Sequence, residues 1–161
     1  MINRLIEIIS KEAALFESFL DLLEQQKQLL VTNDVAGLTR ITEEQQRKLT
    51  ESQLLDKERR QLVERIKAAN EIDGDLTVTR LIELVSDNQA RRLRELTELV
   101  LSLNKKITET RNSNAMLLNQ SREFIARTMT ALARLNNPES TYAPRNAKAE
   151  KRGSVMMDRR A

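Results

Sequence analysis

The stretch from Asp87 to Leu135 contains neither proline nor glycine, the two residues that most often interrupt a helix. It can therefore run as one helix of roughly 50 residues, about 75 Å long at 1.5 Å per residue. Apolar residues in its first half recur at alternating spacings of three and four, which keeps one helix face toward a partner helix. These residues are Leu93, Leu96, Val100, Leu103 and Ile107. Such a stretch constrains the chain to a helical fold.

In the second half of this helix, polar or small residues alternate with apolar ones on the same face. The positions are Thr110, Asn114, Leu117, Ser121, Phe124, Thr128, Ala131 and Leu135. One interpretation is a polar layer inside a helix bundle, in which Asn114 sets the register. The other is an adaptable surface for a partner helix, since Met116 and Met129 are flexible and polarizable. The sequence leaves both interpretations open.

The composition favours an all-α fold. Aromatic residues make up 2% of the chain, and there are only three Gly and two Pro, too few for the many turns of a β-fold. We expect an antiparallel bundle of three long helices plus one short helix, with a disordered C-terminal tail. The expected helices are 2–31, 34–69, 77–86 and 87–135, within a helical bundle domain 1–137 that is followed by a basic tail 138–161.

Local signals mark the ends of these helices. Asn33 or Asp34 can accept the free amides at the start of the second helix, so we place an N-cap there. Gly74 supplies a positive φ in the turn 70–75, and Asp75 is expected to cap the short helix that follows. The sequence does not decide whether that short helix fuses with the long one. The second helix has a weak apolar face, because three polar residues share its frame. They are Gln45, Ser52 and Arg59.

The residue inventory argues against an enzyme. The chain has no Cys and no His, which excludes disulfides, a cysteine nucleophile, Cys/His zinc sites and an imidazole base. No glycine-rich phosphate loop occurs, and no nucleophile lies beside a plausible base. We therefore expect no enzymatic activity, no cofactor and no metal site. The start of the chain lacks a signal-peptide pattern and no stretch is apolar enough to span a membrane, so we expect a cytosolic protein.

The net charge of +3 lies in the C-terminal residues. From Pro138 onward there are six basic and three acidic side chains, so residues 1–137 are balanced. A balanced helical surface argues against a broad nucleic-acid face. The tail has few apolar residues and no periodicity, which is typical of disorder.

Several elements together resemble a known family. The segment LLEQQKQLLVTNDVAGLTRITEEQQ precedes a long charged helix with Glu58-Arg59-Arg60. A short TVTRLIELV helix follows, then a long helix with NSNAMLLNQS, and then Ser140-Thr141-Tyr142. Over Ile2 to Tyr142 the chain resembles the FlgN family of flagellar type III export chaperones. Ala143-Pro144 follow the tyrosine where family members often have glycine.

The resemblance implies a cytosolic chaperone for the hook–filament junction proteins, the hook-associated proteins of the flagellum. It would hold their C-terminal helical segments, prevent premature assembly and deliver them to the export gate. Tyr142 matches the position expected to contact that gate. The second half of the long helix is then a candidate wall for the client helix. The candidate client-binding residues are Asn114, Leu117, Leu118, Ser121, Ile125, Thr128, Met129 and Leu132.

A second hypothesis is a structural coiled-coil component, such as a stator or rod part of the export apparatus, or another helical scaffold. It predicts a homodimer or permanent complex with the seam of residues 93–107 as the interface. The long helix is longer than the two helices expected to pack on it, which span about 45 and 54 Å. Part of its apolar seam should therefore be uncovered in a monomer and available to another protein. A weaker hypothesis is that the basic tail binds nucleic acid or anionic lipid.

Overall fold

The computed structural model describes residues 1–136 and shows a helical chain. It contains α1 (Ile2–Thr32), α2 (Val35–Ala69), α3 (Val78–Glu83) and α4 (Asp87–Asn136), and no strand occurs within this range. The all-α class is confirmed. The expected basic tail, 138–161, lies outside the described residues. The chain divides into two units, Met1–Ser121 and the part that begins at Arg122, and each is described by itself.

The connection between α1 and α2 is capped on both sides. Asn33 adopts a left-handed conformation, with φ 54° and ψ 36°, and its amide donates to the Leu30 carbonyl. The amide of Asp34 donates to the Leu29 carbonyl at 3.0 Å, which completes a Schellman motif. The Asp34 carboxylate then accepts from the Gly37 amide at 2.9 Å. Asp34 is therefore the N-cap of α2. It is one of the two residues, Asn33 or Asp34, that the sequence predicted for this position.

Replacing Asp34 by Ala should lower the free energy of unfolding by about 1 kcal/mol, because the Gly37 amide loses its acceptor. Asp34→Asn keeps a side-chain oxygen at the same place and should stay close to the parent protein. Urea denaturation followed by circular dichroism measures both variants. Equal losses in the two variants would show that the cap contributes nothing beyond the carboxylate charge.

Ser86 and Gln89, which have the S-x-x-Q spacing of a capping box, mark the start of α4. The Ser86 amide and hydroxyl both donate to Gln89 Oε1, at 3.2 and 3.1 Å, and the Ala90 amide donates to the Ser86 carbonyl at 2.8 Å. This S-x-x-Q pattern starts a new helix at Asp87, so the two helices are not fused. The short helix ends at Glu83 rather than at the expected Ser86. Ser86 belongs instead to the start of α4.

The cap of α3 also differs from the expectation. The Thr77 hydroxyl, not the Asp75 carboxylate, accepts from the Arg80 amide at 3.3 Å. Arg80 Nη1 donates back to the carbonyls of Asp73 and Asp75 at 3.3 and 3.4 Å, which holds the turn in place. Gly74 has a φ of 84°, as expected from its position in the turn.

One hydrophobic cluster draws on all four helices. Its side chains are Leu5, Ile8, Leu62, Ile66, Leu81 and Leu93, each at most 9% exposed. Polar contacts give the helix directions within Met1–Ser121. Arg59 of α2 reaches Glu12, and Gln45 reaches Gln26, so α2 runs antiparallel to α1.

Three polar contacts place α4 parallel to α1. Gln89 donates to Asn3 at 2.7 Å, Asn114 donates to the Leu23 carbonyl at 2.8 Å, and Ser121 donates to Asn33 at 2.9 Å. Residue numbers rise together along both helices at these contacts. The seam of α4 faces the chain's own core over this range, since Leu93, Leu96 and Leu103 are buried.

Candidate partner-binding groove

The middle of α2 leaves a gap in the packing of the first unit. The helix buries Gly37, Ile41, Leu62 and Ile66, but no side chain between Ile41 and Leu62 is buried. The apolar frame that would fill this stretch carries Gln45 and Ser52. Polar residues in place of large apolar ones leave space between the helices.

A groove of about 710 Å³ occupies this gap, between α1, α2 and α4. Its apolar floor and walls come from all three helices: Leu15, Phe16, Phe19, Leu23, Leu30, Leu38, Leu49, Ile107, Ala115 and Leu118. On α1 the lining extends from Leu15 to Leu30, which is about 22 Å at 1.5 Å per residue. This is the length of about four helical turns.

A row of three side-chain amides crosses the groove. Asn114 Nδ2 donates to the Leu23 carbonyl at 2.8 Å and to Gln26 Oε1 at 3.0 Å. Gln26 Nε2 in turn donates to Gln45 Oε1 across a longer distance of 3.5 Å. The backbone carbonyl of Leu23 can only accept, so it sets which atom of each amide is nitrogen and which is oxygen.

The two ends of this row have no partner among residues 1–136. Asn114 Oδ1, an acceptor, and Gln45 Nε2, a donor, are buried without a hydrogen bond. Asn114 as a whole is only 4% exposed. A buried polar atom without a hydrogen bond is unfavourable, and these two atoms are covered by protein, with essentially no accessible surface.

The charged side chains that line the groove are both cationic. They are Lys48 of α2 and Arg111 of α4, and no carboxylate from residues 1–136 lines it. Lys48 also pairs with Glu51 at 3.6 Å, and Glu51 is exposed. The lining therefore combines an apolar floor with two cationic side chains, of which Lys48 is already ion-paired.

The predicted client-binding residues of the first unit have three different environments. Asn114 is buried and donates to the Leu23 carbonyl of α1, in keeping with a polar layer, and it is one of the residues that line the groove. Leu117 is half-buried, and Ser121 is half-buried where its hydroxyl meets Asn33. Leu118 lines the groove and is 46% exposed.

The predicted residues of the second unit all lie on an exposed surface. Ile125, Met129 and Leu132 are 55%, 63% and 51% exposed. Thr128 is exposed and its hydroxyl donates to the Phe124 carbonyl at 2.9 Å. Tyr142, the predicted gate contact, lies outside the described residues. The eight client-binding positions remain a prediction.

Sequence reasoning missed much of the groove. In the sequence, Phe16 and Phe19 lie on a wide apolar stripe of α1, and Leu38 and Leu49 lie on the weak apolar face of α2. The signal that was available was the combination of these two patterns: a stripe wider than one partner needs, opposite a helix with polar residues in its frame.

Comparison with known proteins assigns the family. The family model described as "FlgN: FlgN protein" matches residues 1–150. The chain belongs to the FlgN family. The resemblance inferred over Ile2 to Tyr142 is thus confirmed, and the FlgN family is a family of chaperones of flagellar biogenesis. Among curated proteins and among solved structures, no match was found for this FlgN-family chain. No helix within residues 1–136 is long and apolar enough to cross a membrane.

Proposed function

We propose that this chain is a cytoplasmic chaperone that binds the C-terminal helical segments of hook–filament junction proteins. It prevents their premature assembly and delivers them to the type III export gate. Membership of the FlgN family supports a role in flagellar export. The observation that carries the binding role is the open groove of about 710 Å³ with an apolar floor. Grooves of this kind accept amphipathic helices.

The proposed client-contact set keeps the residues expected from the sequence. It comprises Asn114, Leu117, Leu118, Ser121, Ile125, Thr128, Met129 and Leu132. Four of its apolar members are exposed and so are available to a partner: Leu118, Ile125, Met129 and Leu132. We assign the gate contact to Tyr142, and the role requires neither catalysis nor a cofactor.

The same proposal includes the arrangement of the chain. The antiparallel pairing of α1 with α2 and the parallel course of α4 along α1 support a bundle of the three long helices. We assign residues 1–137 to this helical domain and residues 138–161 to a basic tail. The monomer is the proposed binding species, with a homodimer as the competing state.

The structural-component hypothesis loses its proposed interface. It relied on the seam of residues 93–107, but Leu93 and Leu96 are 1% and 2% exposed within one chain. A permanent partner would need another surface. The export-chaperone role therefore has the better structural support.

Calorimetric titration with a C-terminal fragment of a hook-associated protein tests this function. The double variant Leu118→Ser with Met129→Ser should bind the fragment at least about tenfold more weakly, because two exposed apolar contacts are lost. Leu101→Ser is the control, since Leu101 is a 64% exposed leucine of α4 outside the proposed set. An unchanged affinity in the double variant would refute the site, and no binding by the parent chain to any junction-protein fragment would refute the function.

A further inference from the structure

In an inference that rests on the proposed function, we infer that Gln45 and Ser52 are positioning residues that keep the groove open. Neither belongs to the client-contact set, and the whole groove lies within Met1–Ser121. The two residues occupy positions of α2 at which apolar side chains would pack onto α1 and α4. Apolar residues at 45 and 52 would therefore stabilise the chain and close the binding site at the same time.

The position of the groove along α2 coincides with a run of polar residues in the core-facing frame. Ile41 begins this frame and Leu62 and Ile66 end it, and all three are buried. Between them the frame continues at alternating spacings of four and three through Gln45, Lys48, Ser52, Leu55 and Arg59. The first three of these residues are polar and line the groove, whereas Leu55 and Arg59 do not line it. The groove thus lies where the frame is polar.

The row of side-chain amides acts as a spacer between the helices. Asn114 of α4 donates to Gln26 of α1 at 3.0 Å, and Gln26 donates to Gln45 of α2 at 3.5 Å. The second of these distances is at the weak end of the range for hydrogen bonds. Ser52, seven residues after Gln45, is half-buried and has a short side chain. Both residues therefore line the space without drawing α2 onto its neighbours.

This arrangement lowers the stability of the chain. Gln45 Nε2 is covered by protein and has no hydrogen bond among residues 1–136, which is unfavourable. A leucine at position 45 has a similar size and no polar atom, and leucines at 45 and 52 would add apolar contact to groove walls such as Phe19. Gln26 would lose an acceptor, but it is half-buried, so water can take that place.

Thermal unfolding of the double variant Gln45→Leu with Ser52→Leu tests the effect on stability. Its Tm should lie at least about 3 °C above that of a control with leucines at two exposed positions of α2. The control is Thr50→Leu with Lys57→Leu, which has the same spacing of seven residues and lies outside the groove. Each pair replaces one good helix former and one poorer one, so helix propensity changes similarly in both variants.

A single cysteine reports whether the groove has closed, without any client. The chain has no Cys, so Ala115→Cys introduces the only thiol. Ala115 is exposed, lines the groove from α4 and follows Asn114, whose amide row reaches Gln45. Alkylation by N-ethylmaleimide should be at least about fivefold slower in the leucine double variant than in the parent background. Leu101→Cys, at a 64% exposed position outside the groove, should react equally fast in both backgrounds.

Titration with the junction-protein fragment connects the opening of the groove to binding. The variant with leucines at 45 and 52 should bind the fragment at least about tenfold more weakly than the parent chain, although its Tm is higher. A variant that merely damaged the fold would lose both affinity and Tm, so opposite changes in the two quantities identify a closed groove. The control with leucines at 50 and 57 should bind like the parent chain.

Unchanged alkylation of Ala115→Cys, or an unchanged affinity in a variant whose groove has closed, would overturn the inference. So would a Tm no higher than that of the control in the double variant and in both of its single variants. The single variants are included because two leucines together can be too large for the space. If no junction-protein fragment binds the parent chain, the proposed function fails. The Tm and the alkylation rate then still decide whether Gln45 and Ser52 hold the groove open.

Discussion

Leu93→Ala is expected to lower the free energy of unfolding by about 2–5 kcal/mol. Leu93 is 1% exposed and belongs to the cluster in which α1, α2, α3 and α4 meet. Truncation removes buried methyl groups and leaves a cavity that side chains from four helices cannot all move to fill. Guanidinium chloride denaturation monitored by circular dichroism measures the loss.

The control for this variant lies on the same helix. Leu101 is 64% exposed, and Leu101→Ala should change the free energy of unfolding by no more than about 0.5 kcal/mol. Helix propensity changes equally in the two variants, so the difference between them reports burial. Similar losses in both variants would contradict the position of the core.

Arg59→Met should lower the free energy of unfolding by about 1–3 kcal/mol. Arg59 Nε donates to Glu12 Oε1 at 3.1 Å and joins α2 to α1, and the Glu12 side chain is only 12% exposed. Without the guanidinium, that carboxylate stays largely withdrawn from water and has lost its cation. The methionine keeps much of the aliphatic packing, so the loss reports the interactions of the guanidinium with Glu12 and, within α2, with Asp56.

The neighbouring arginine is a matched control. Arg60 Nε pairs with Asp56 at 2.8 Å, but the Arg60 side chain is 76% exposed and this ion pair stays within α2. Arg60→Met should therefore change stability by less than about 0.5 kcal/mol. A double-mutant cycle of Arg59→Met with Glu12→Gln isolates the pair, and a coupling energy near zero would refute the link between the helices.

Periodicity predicted the packed face of α4 accurately over its first part. Every position of the predicted seam from Leu93 to Ser121 is buried or half-buried. In the second unit the same frame gives Phe124 at 68% exposure and Leu135 at 76%. A period identifies which side chains share a face, but it cannot say whether anything packs on that face.

The groove could not be predicted because it is a property of three helices at once. Gln45 and Ser52 were recognised from the sequence as polar residues that weaken the apolar face of α2. Their effect depends on α1 and α4 lying opposite them, which sequence spacing alone does not encode. The structure places Asn114 in a polar layer against α1, where its nitrogen donates to the Leu23 carbonyl and its oxygen has no hydrogen-bond partner among residues 1–136.

The middle of α2, which buries no side chain, lines the groove but contributes little to the hydrophobic core. Ile41 at one end and Leu62 with Ile66 at the other fasten this helix, and the stretch between them contributes no buried side chain to the core. If this stretch moved away from the other helices, it would lose few apolar contacts. The middle of α2 can therefore change its position more easily than the two packed ends of the helix. Apart from Arg59, which pairs with Glu12 of α1, residues in this stretch can be substituted to change which partner fits while the two ends keep the chain folded. The binding specificity of this protein can thus change at those positions with little loss in the free energy of unfolding.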